Sequence, residues 1–242
     1  ETGQFLFVCA DGAILSSASS EFREFDLGNE PPGTSESGIL WSADKIGQTV
    51  VAVGMSRTVY QRESSGKWTR LSDEIEVDQP EESGVGFTSV ASAAPGELCC
   101  VGSRGEVWIR SNKVWDRCDV PTNCDLTCVS ADPDGDYIIG GTNGTLLKGN
   151  SDKWQVVDDG TNAQAITDIA TFADDVFVAD GSRLMKLEGG DLKGVEPALD
   201  SDPGVRYLSS IDNALWAITR ERAIVLCDGS WAEFVVGSQR ID

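Results

Sequence analysis

The sequence has no histidine in 242 residues, and only two Met and three Tyr. Without imidazole it lacks the commonest acid-base catalyst, the Ser-His and Cys-His nucleophile systems and every zinc site that needs a ring nitrogen. Basic residues are also scarce: 19 Lys and Arg stand against 40 Asp and Glu, a formal charge of -21. Such a balance argues against holding nucleic acid or an anionic membrane across a broad surface, and its natural complement is a basic protein. No apolar run approaches the roughly 18 residues of a membrane span. The opening Glu1-Thr2-Gly3-Gln4 lacks the basic and apolar segments of a signal peptide. A cytoplasmic protein, monomeric when free, is expected, although the missing initiator Met leaves a removed leader open.

What is present reads as one globular domain over residues 1–242: 40% hydrophobic and 24% charged residues, with 26 Gly and 7 Trp. Of the seven Cys, an odd number, Cys9, Cys99, Cys100, Cys128 and Cys227 lie in apolar runs and read as small core residues. Cys118 and Cys124 sit near a connection where a local disulfide or redox pair is conceivable, and their spacing matches no metal motif.

Internal repetition decides the architecture. Short β-rich runs recur as Val50-Val51-Ala52-Val53-Gly54, Leu98 to Gly102, Tyr137 to Gly141, Val176 to Asp180 and Leu215 to Thr219, their last residues 48, 39, 39 and 39 apart. Phe5 to Asp11 adds a sixth copy. Each run is followed by a second strand after a short turn; Asn143-Gly144 is the strongest hairpin signal, since both residues tolerate positive φ. A third strand then begins near an aromatic, Phe25, Trp68, Trp115, Trp154 or Trp231, with Leu192 in the fifth copy. From the second copy on, a further strand precedes the run.

Four short strands in about 39 residues match a blade of a β-propeller, and counting copies gives six blades at about 1–30, 38–72, 86–120, 125–160, 165–197 and 206–242. The expected fold is an all-β, six-bladed propeller with the Trp packed between blades. The first copy lacks its innermost strand, for which Gln239 to Asp242 is a candidate. On these residues the chain resembles short-blade repeat proteins of the WD40 or YVTN-like, BNR-like and Ycf48-like groups. The Gly-His and Trp-Asp signatures of WD40 repeats are absent apart from Trp115-Asp116, and the sialidase Asp-box is missing.

Loops that join one blade to the next, at 28–38, 72–86, 119–125, 158–164 and 196–205, hold fifteen Asp and Glu and no Lys or Arg. The expected partner-binding residues are Asp73, Glu74, Glu76, Asp78, Glu81, Glu82, Asp119, Asp125, Asp158, Asp159, Asp200 and Asp202. Acidic loops also serve solubility, and that reading stands beside the binding one. Turns on the same face carry Arg57, Arg104, Arg220 and Arg222. Asp132-Pro133-Asp134-Gly135-Asp136 has calcium-loop composition but the length of a tight turn and no distal bidentate Glu. Asn143-Gly144-Thr145 is a formal glycosylation sequon as well as a turn. No cofactor, metal site or catalytic residue is expected, and therefore no enzyme.

The chain's size and charge look similar to those of propeller-type bacterial immunity proteins. That resemblance implies a non-catalytic antitoxin that blocks the cleft of a basic, nuclease-like toxin. A Ycf48-type assembly factor for a membrane complex is the alternative, which the negative charge disfavours. A sialidase-like hydrolase using the four arginines comes third, weakened by the missing Asp-boxes and by the placing of Tyr60, Tyr137 and Tyr207 in strands.

Overall fold

A computed structural model describes residues 40–63, 68–75, 85–159, 164–195, 204–211, 213–220 and 222–234, with the backbone alone at 5–8, 14–18, 21–25, 159 and 234. The chain gathers into two compact units, Glu1–Asp119 and Val120–Asp242.

The first unit holds a three-stranded antiparallel sheet, β1 (Phe5–Val8), β2 (Ile14–Ala18) and β3 (Glu21–Phe25), and two four-stranded blades. One blade is β4 (Leu40–Ile46), β5 (Thr49–Gly54), β6 (Thr58–Arg62) and β7 (Trp68–Arg70); the other is β8 (Phe87–Ala91), β9 (Leu98–Gly102), β10 (Val107–Ser111) and β11 (Val114–Cys118). The second unit holds three blades. These are β12 (Leu126–Ala131) to β15 (Trp154–Asp159) through β13 (Tyr137–Gly141) and β14 (Thr145–Gly149); β16 (Asp168–Phe172), β17 (Asp175–Ala179), β18 (Leu184–Glu188) and β19 (Asp191–Gly194); and β20 (Tyr207–Ile211), β21 (Ala214–Ile218), β22 (Ala223–Cys227) and β23 (Ser230–Phe234).

Short four-stranded antiparallel meanders of this kind make the fold an all-β propeller. The count corrects the expectation of six: among the described residues there are five four-stranded blades and one three-stranded sheet. Each complete blade takes its first strand from the segment preceding its β-rich run, and no described residue precedes Phe5. The candidate strand at Gln239 to Asp242 lies outside the described residues.

Second strands are apolar on both sides because both of their faces are covered. Every residue of Leu98–Gly102 and Tyr137–Gly141 is buried. Outer strands instead alternate, as in Val114–Cys118, where Trp115 is buried between exposed Val114 and Asp116. The Val-Gly strand ending has a steric cause. A Cβ on Gly102 would strike the Gly86 carbonyl oxygen, and one on Gly86 would lie 2.6 Å from the Met55 Cα.

Hydrophobic clusters run from blade to blade within each unit. In the first unit Val51, Val53, Val59, Phe87, Val90 and Trp108 pack together; in the second, Ala170, Phe177, Leu208, Leu215 and Ile224 do so. First strands are also stitched side by side: the Thr127 hydroxyl donates to the Ile166 carbonyl at 2.6 Å, and the Leu208 amide donates to Asp168 Oδ2 at 2.8 Å.

Trp68, Trp115, Trp154, Leu192 and Trp231 occupy equivalent places near the turn of each outer hairpin, opposite Arg62, Arg110, Gly149, Leu187 and Leu226. In the first sheet that place belongs to Phe22, opposite Ser17, and not to Phe25, which closes β3. All four Trp lie on outer strands; Trp115 is buried there, while Trp68, Trp154 and Trp231 are half-buried. Trp115 performs the blade-bridging role, stacking on Phe87 at 6.4 Å and donating its Nε1 hydrogen to the Leu71 carbonyl at 2.8 Å. Cys99, Cys100 and Cys128 are buried as expected, and burial pushes their thiols up. Cys227 corrects the expectation, being exposed at the end of β22 beside the Asp228-Gly229 turn. Cys9 lies outside the described residues.

Candidate functional site

The acidic loop after β7 is clamped at its base. Leu71 donates its amide to the Val59 carbonyl at 2.8 Å, and the Ser72 hydroxyl accepts from the Val59 amide at 3.2 Å and from Arg70 Nε at 3.1 Å. A 3-10 turn, Ser72–Glu74, follows and buries Ile75 behind it. At the far end Val85 is fully buried, its carbonyl accepting from Ser56 at 2.8 Å, while the Ser103 amide reaches the Gly86 carbonyl at 3.3 Å. Asp73 and Glu74 are exposed on this base, with Asp73 in a 3.2 Å pair to Arg70 Nε. Glu76, Asp78, Glu81 and Glu82 lie outside the described residues.

Asp119 is exposed at the end of the first unit. In the second unit Asp125 is exposed, and its carbonyl fastens the Thr142 amide at 2.8 Å. Asp158 is half-buried, opposite Leu146 in the β14–β15 ladder, and Asp159 lies opposite Thr145. The side chain of Asp159 and all of Asp200 and Asp202 lie outside the described residues.

The four turn arginines do not share one environment. Arg57 is 8% exposed and clasps Glu106, itself 3% exposed, through Nε to Oε2 at 2.7 Å and Nη2 to Oε1. Its charge is therefore spent inside the first unit. Glu106 follows the next blade's equivalent turn, and nothing in the sequence around it marks it as a partner. Arg222 donates to Glu233 at 3.0 Å, whereas Arg104 and Arg220 are exposed.

The calcium-like loop uses its oxygens on itself: Asp132 Oδ1 accepts from the amides of Asp134 and Asp136, each at 2.9 Å, and Oδ2 pairs with Lys148. The hydrogen bond to Asp132 holds the Lys148 ammonium above its ordinary range. Asn143 and Gly144 both have positive φ in the β13–β14 turn. Among the described residues no three His, Cys, Asp or Glu gather to hold a metal. Cys118 and Cys124 are both free thiols, and the Thr122 and Thr145 hydroxyls, with Asn143 and Thr142, lower Cys124. Sequence reasoning missed the exposed apolar side chains Trp41, Tyr207 and Ile211, which are 55%, 61% and 55% exposed. All three sit on first strands, whose pattern alone reads as core.

No protein-family model matches the chain. It is similar to the immune protein Tsi7 of Pseudomonas aeruginosa, 28% identical over 215 residues that cover 89% of this chain and 70% of that protein. Among solved structures, a streptogramin B lyase covers 99% of this chain and 81% of its own at 12% identity and a TM-score of 0.77. Virginiamycin B lyase from Staphylococcus aureus matches with a TM-score of 0.73 and 10% identity over 97% of this chain and 84% of that one. Ycf48 from Cyanidioschyzon merolae matches with a TM-score of 0.63 and 14% identity over 95% and 80%. At these identities the solved structures show the propeller fold alone.

Proposed function

We propose that this chain is a non-catalytic immunity protein that neutralises a basic, nuclease-like toxin by closing its active cleft with the acidic loops. The observation that carries the reading is the 28% identity to the immune protein Tsi7 across 89% of the chain. A nuclease needs a cationic cleft for phosphates, and carboxylates presented along a rigid rim can take their place. Asp73 and Glu74 on a base clamped at both ends fit that task, because a loop anchored beforehand loses less freedom on binding. The lyase likeness supplies no activity here. The Staphylococcus aureus enzyme was solved as a catalytically inactive His-to-Ala variant, and this chain has no His. We place the protein in the cytoplasm, where the buried Cys99, Cys100 and Cys128 stay reduced.

The test is to express whatever basic protein is encoded beside this chain, with and without the chain. The reading expects growth only with both, and a purified complex whose association slows as salt rises. Replacing Asp73, Glu74, Glu76, Asp78, Glu81 and Glu82 together by Ser or Gln should leave the melting temperature almost unchanged and slow association at least about tenfold at low salt. Association of that variant at the wild-type rate, indifferent to salt, would return the acidic loops to a solubility role.

A further inference from the structure

The chain enters the first strand of every complete blade in the same way, with a buried apolar residue followed by one that stands out of the ladder. The buried residues are Leu40, Phe87, Leu126, Ile166 and Val205. After the first three of these, the extra residue of a β-bulge is Trp41, Thr88 and Thr127, where the register with the second strand shifts. Thr167 and Arg206 take the same place ahead of the Asp168–Ala179 and Tyr207–Ile218 pairs.

The fold has a use for Thr at this position. The hydroxyls of Thr88, Thr127 and Thr167 donate to the carbonyls of Val101, Gly140 and Ala179 at 3.1, 3.1 and 3.2 Å. Each acceptor is the residue that pairs just beyond the irregular position. The matching acceptor in the first complete blade is Val53, opposite Ser42, and a Trp has no hydroxyl to offer it. Trp41 is instead 55% exposed. A lone exposed apolar side chain is ordinary on a protein surface, but a Trp where three blades use Thr is not explained by packing.

Its place in the blade supplies the explanation. Leu40 pairs with Gly54, and Gly54 with Thr58 across the Ser56-Arg57 turn. Met55 bridges to Gly86 at the close of the acidic loop, and Leu71, at its opening, bonds to Val59. Trp41 therefore lies at the end of the blade from which the acidic loop springs, the end that carries the exposed Asp73 and Glu74. Carboxylates draw a cation to this end but hold it weakly while they are solvated. The face of an indole is the best aromatic seat for that cation.

We infer that Trp41 is an anchor of the partner contact and seats a Lys or Arg side chain of a basic protein against its ring. The inference rests on the immunity reading and adds what the acidic loops do not supply. They speed encounter, whereas a desolvated aromatic contact slows escape.

The experiment follows the complex of this chain with the basic protein encoded beside it, at 0.5 M NaCl, where steering is screened to about 4 Å. Trp41→Thr copies three other blades, so its melting temperature should equal or exceed the parent's while dissociation accelerates about 30-fold. Its association rate should stay within about threefold of the parent's. Trp41→Leu keeps an apolar side chain without the ring and should dissociate roughly threefold to tenfold faster than the parent. Trp41→Thr dissociating at the parent's rate, or melting well below the parent, overturns the anchor while leaving the immunity reading standing. Trp41→Leu dissociating at the parent's rate overturns the seated cation. Failure of the wild-type chain to bind that protein overturns the inference and the immunity reading together.

Discussion

Three hairpin turns of one backbone shape join the second and third strands of successive blades, and their fillings differ. Ser56-Arg57 have φ of 55° and 53°, Arg104-Gly105 of 57° and 73°, and Asn143-Gly144 of 59° and 76°. Positive φ at both central positions suits the right-handed twist of the flanking strands. Two turns place Gly at the second position, where it is unstrained; Arg57 there costs about 1 to 2 kcal/mol. Against that stands its clasp on Glu106, which occupies the place held by Thr145 in the turn after it. The comparison teaches that the geometry needs only a glycine, so Arg57 and Glu106 serve something other than the turn. A buried ion pair is seldom a net gain over uncharged packing, but it satisfies both charges in one alignment of the two blades only. We therefore read it as a register lock within the first unit.

The largest expected effect breaks that lock on one side. Glu106→Gln removes the carboxylate that the buried Arg57 guanidinium clasps and should destabilise by about 3 to 5 kcal/mol. Arg57→Gly with Glu106→Thr copies the Gly144-Thr145 solution and should return to within about 1 kcal/mol of the parent. Urea denaturation of the two singles and the double decides it. A Glu106→Gln loss under about 1 kcal/mol, or a double no better than the singles, would show that the pair is not a lock.

A fourth turn keeps a positive-φ glycine, Gly181 at 81°, and adds a carboxylate that ties the loop together. Asp180 Oδ1 accepts from the amides of Ser182 and Arg183 at 3.0 and 2.7 Å, and Oδ2 accepts from Arg183 Nε at 2.9 Å. Burial alone would push this carboxyl up, but hydrogen bonds from Arg183 and Ser182 prevail and hold it below its ordinary range. Its folded value being depressed, its contribution is present above the unfolded carboxylate range and is lost as pH falls through the lower folded value. Asp180→Asn should lower stability at pH 7 by about 1.5 to 3 kcal/mol, the worth of charge-assisted hydrogen bonds. It should also flatten the fall in stability below about pH 4. Equal acid slopes for variant and parent would remove Asp180 from the account.

These turns also mark how far the sequence could be read. Strand spacing and the Asn143-Gly144 signal are local, so the blades and their meander were legible from residue types alone. The three strands of the first sheet among the described residues, and Phe22 in the place expected for Phe25, were harder because that copy carries no Trp to set its register. Of the candidate site, the exposure of Asp73, Glu74, Asp119 and Asp125 follows from loop position. The burial of Arg57 does not, since its partner lies 49 residues away and an arginine in a turn ordinarily faces solvent.

The smallest effect sharpens the first comparison. Ser56 shares the strained geometry of Arg57, is exposed, and has no comparable clasp to offset its positive φ. Replacing it by Gly relieves about 1 to 2 kcal/mol of backbone strain. The same change gives the unfolded chain more freedom, which returns about 0.4 to 1 kcal/mol. Ser56→Gly should therefore stabilise by a few tenths to about 1 kcal/mol, while Gly144→Ala, at the second position of the matching hairpin where Arg57 stands in this one, should destabilise by about as much. Chemical denaturation of both variants at one pH resolves differences of this size when midpoints are compared at constant m-value. If Ser56→Gly proves destabilising, the turn is not strained at that position, and the case that Arg57 is retained against a conformational cost loses its footing.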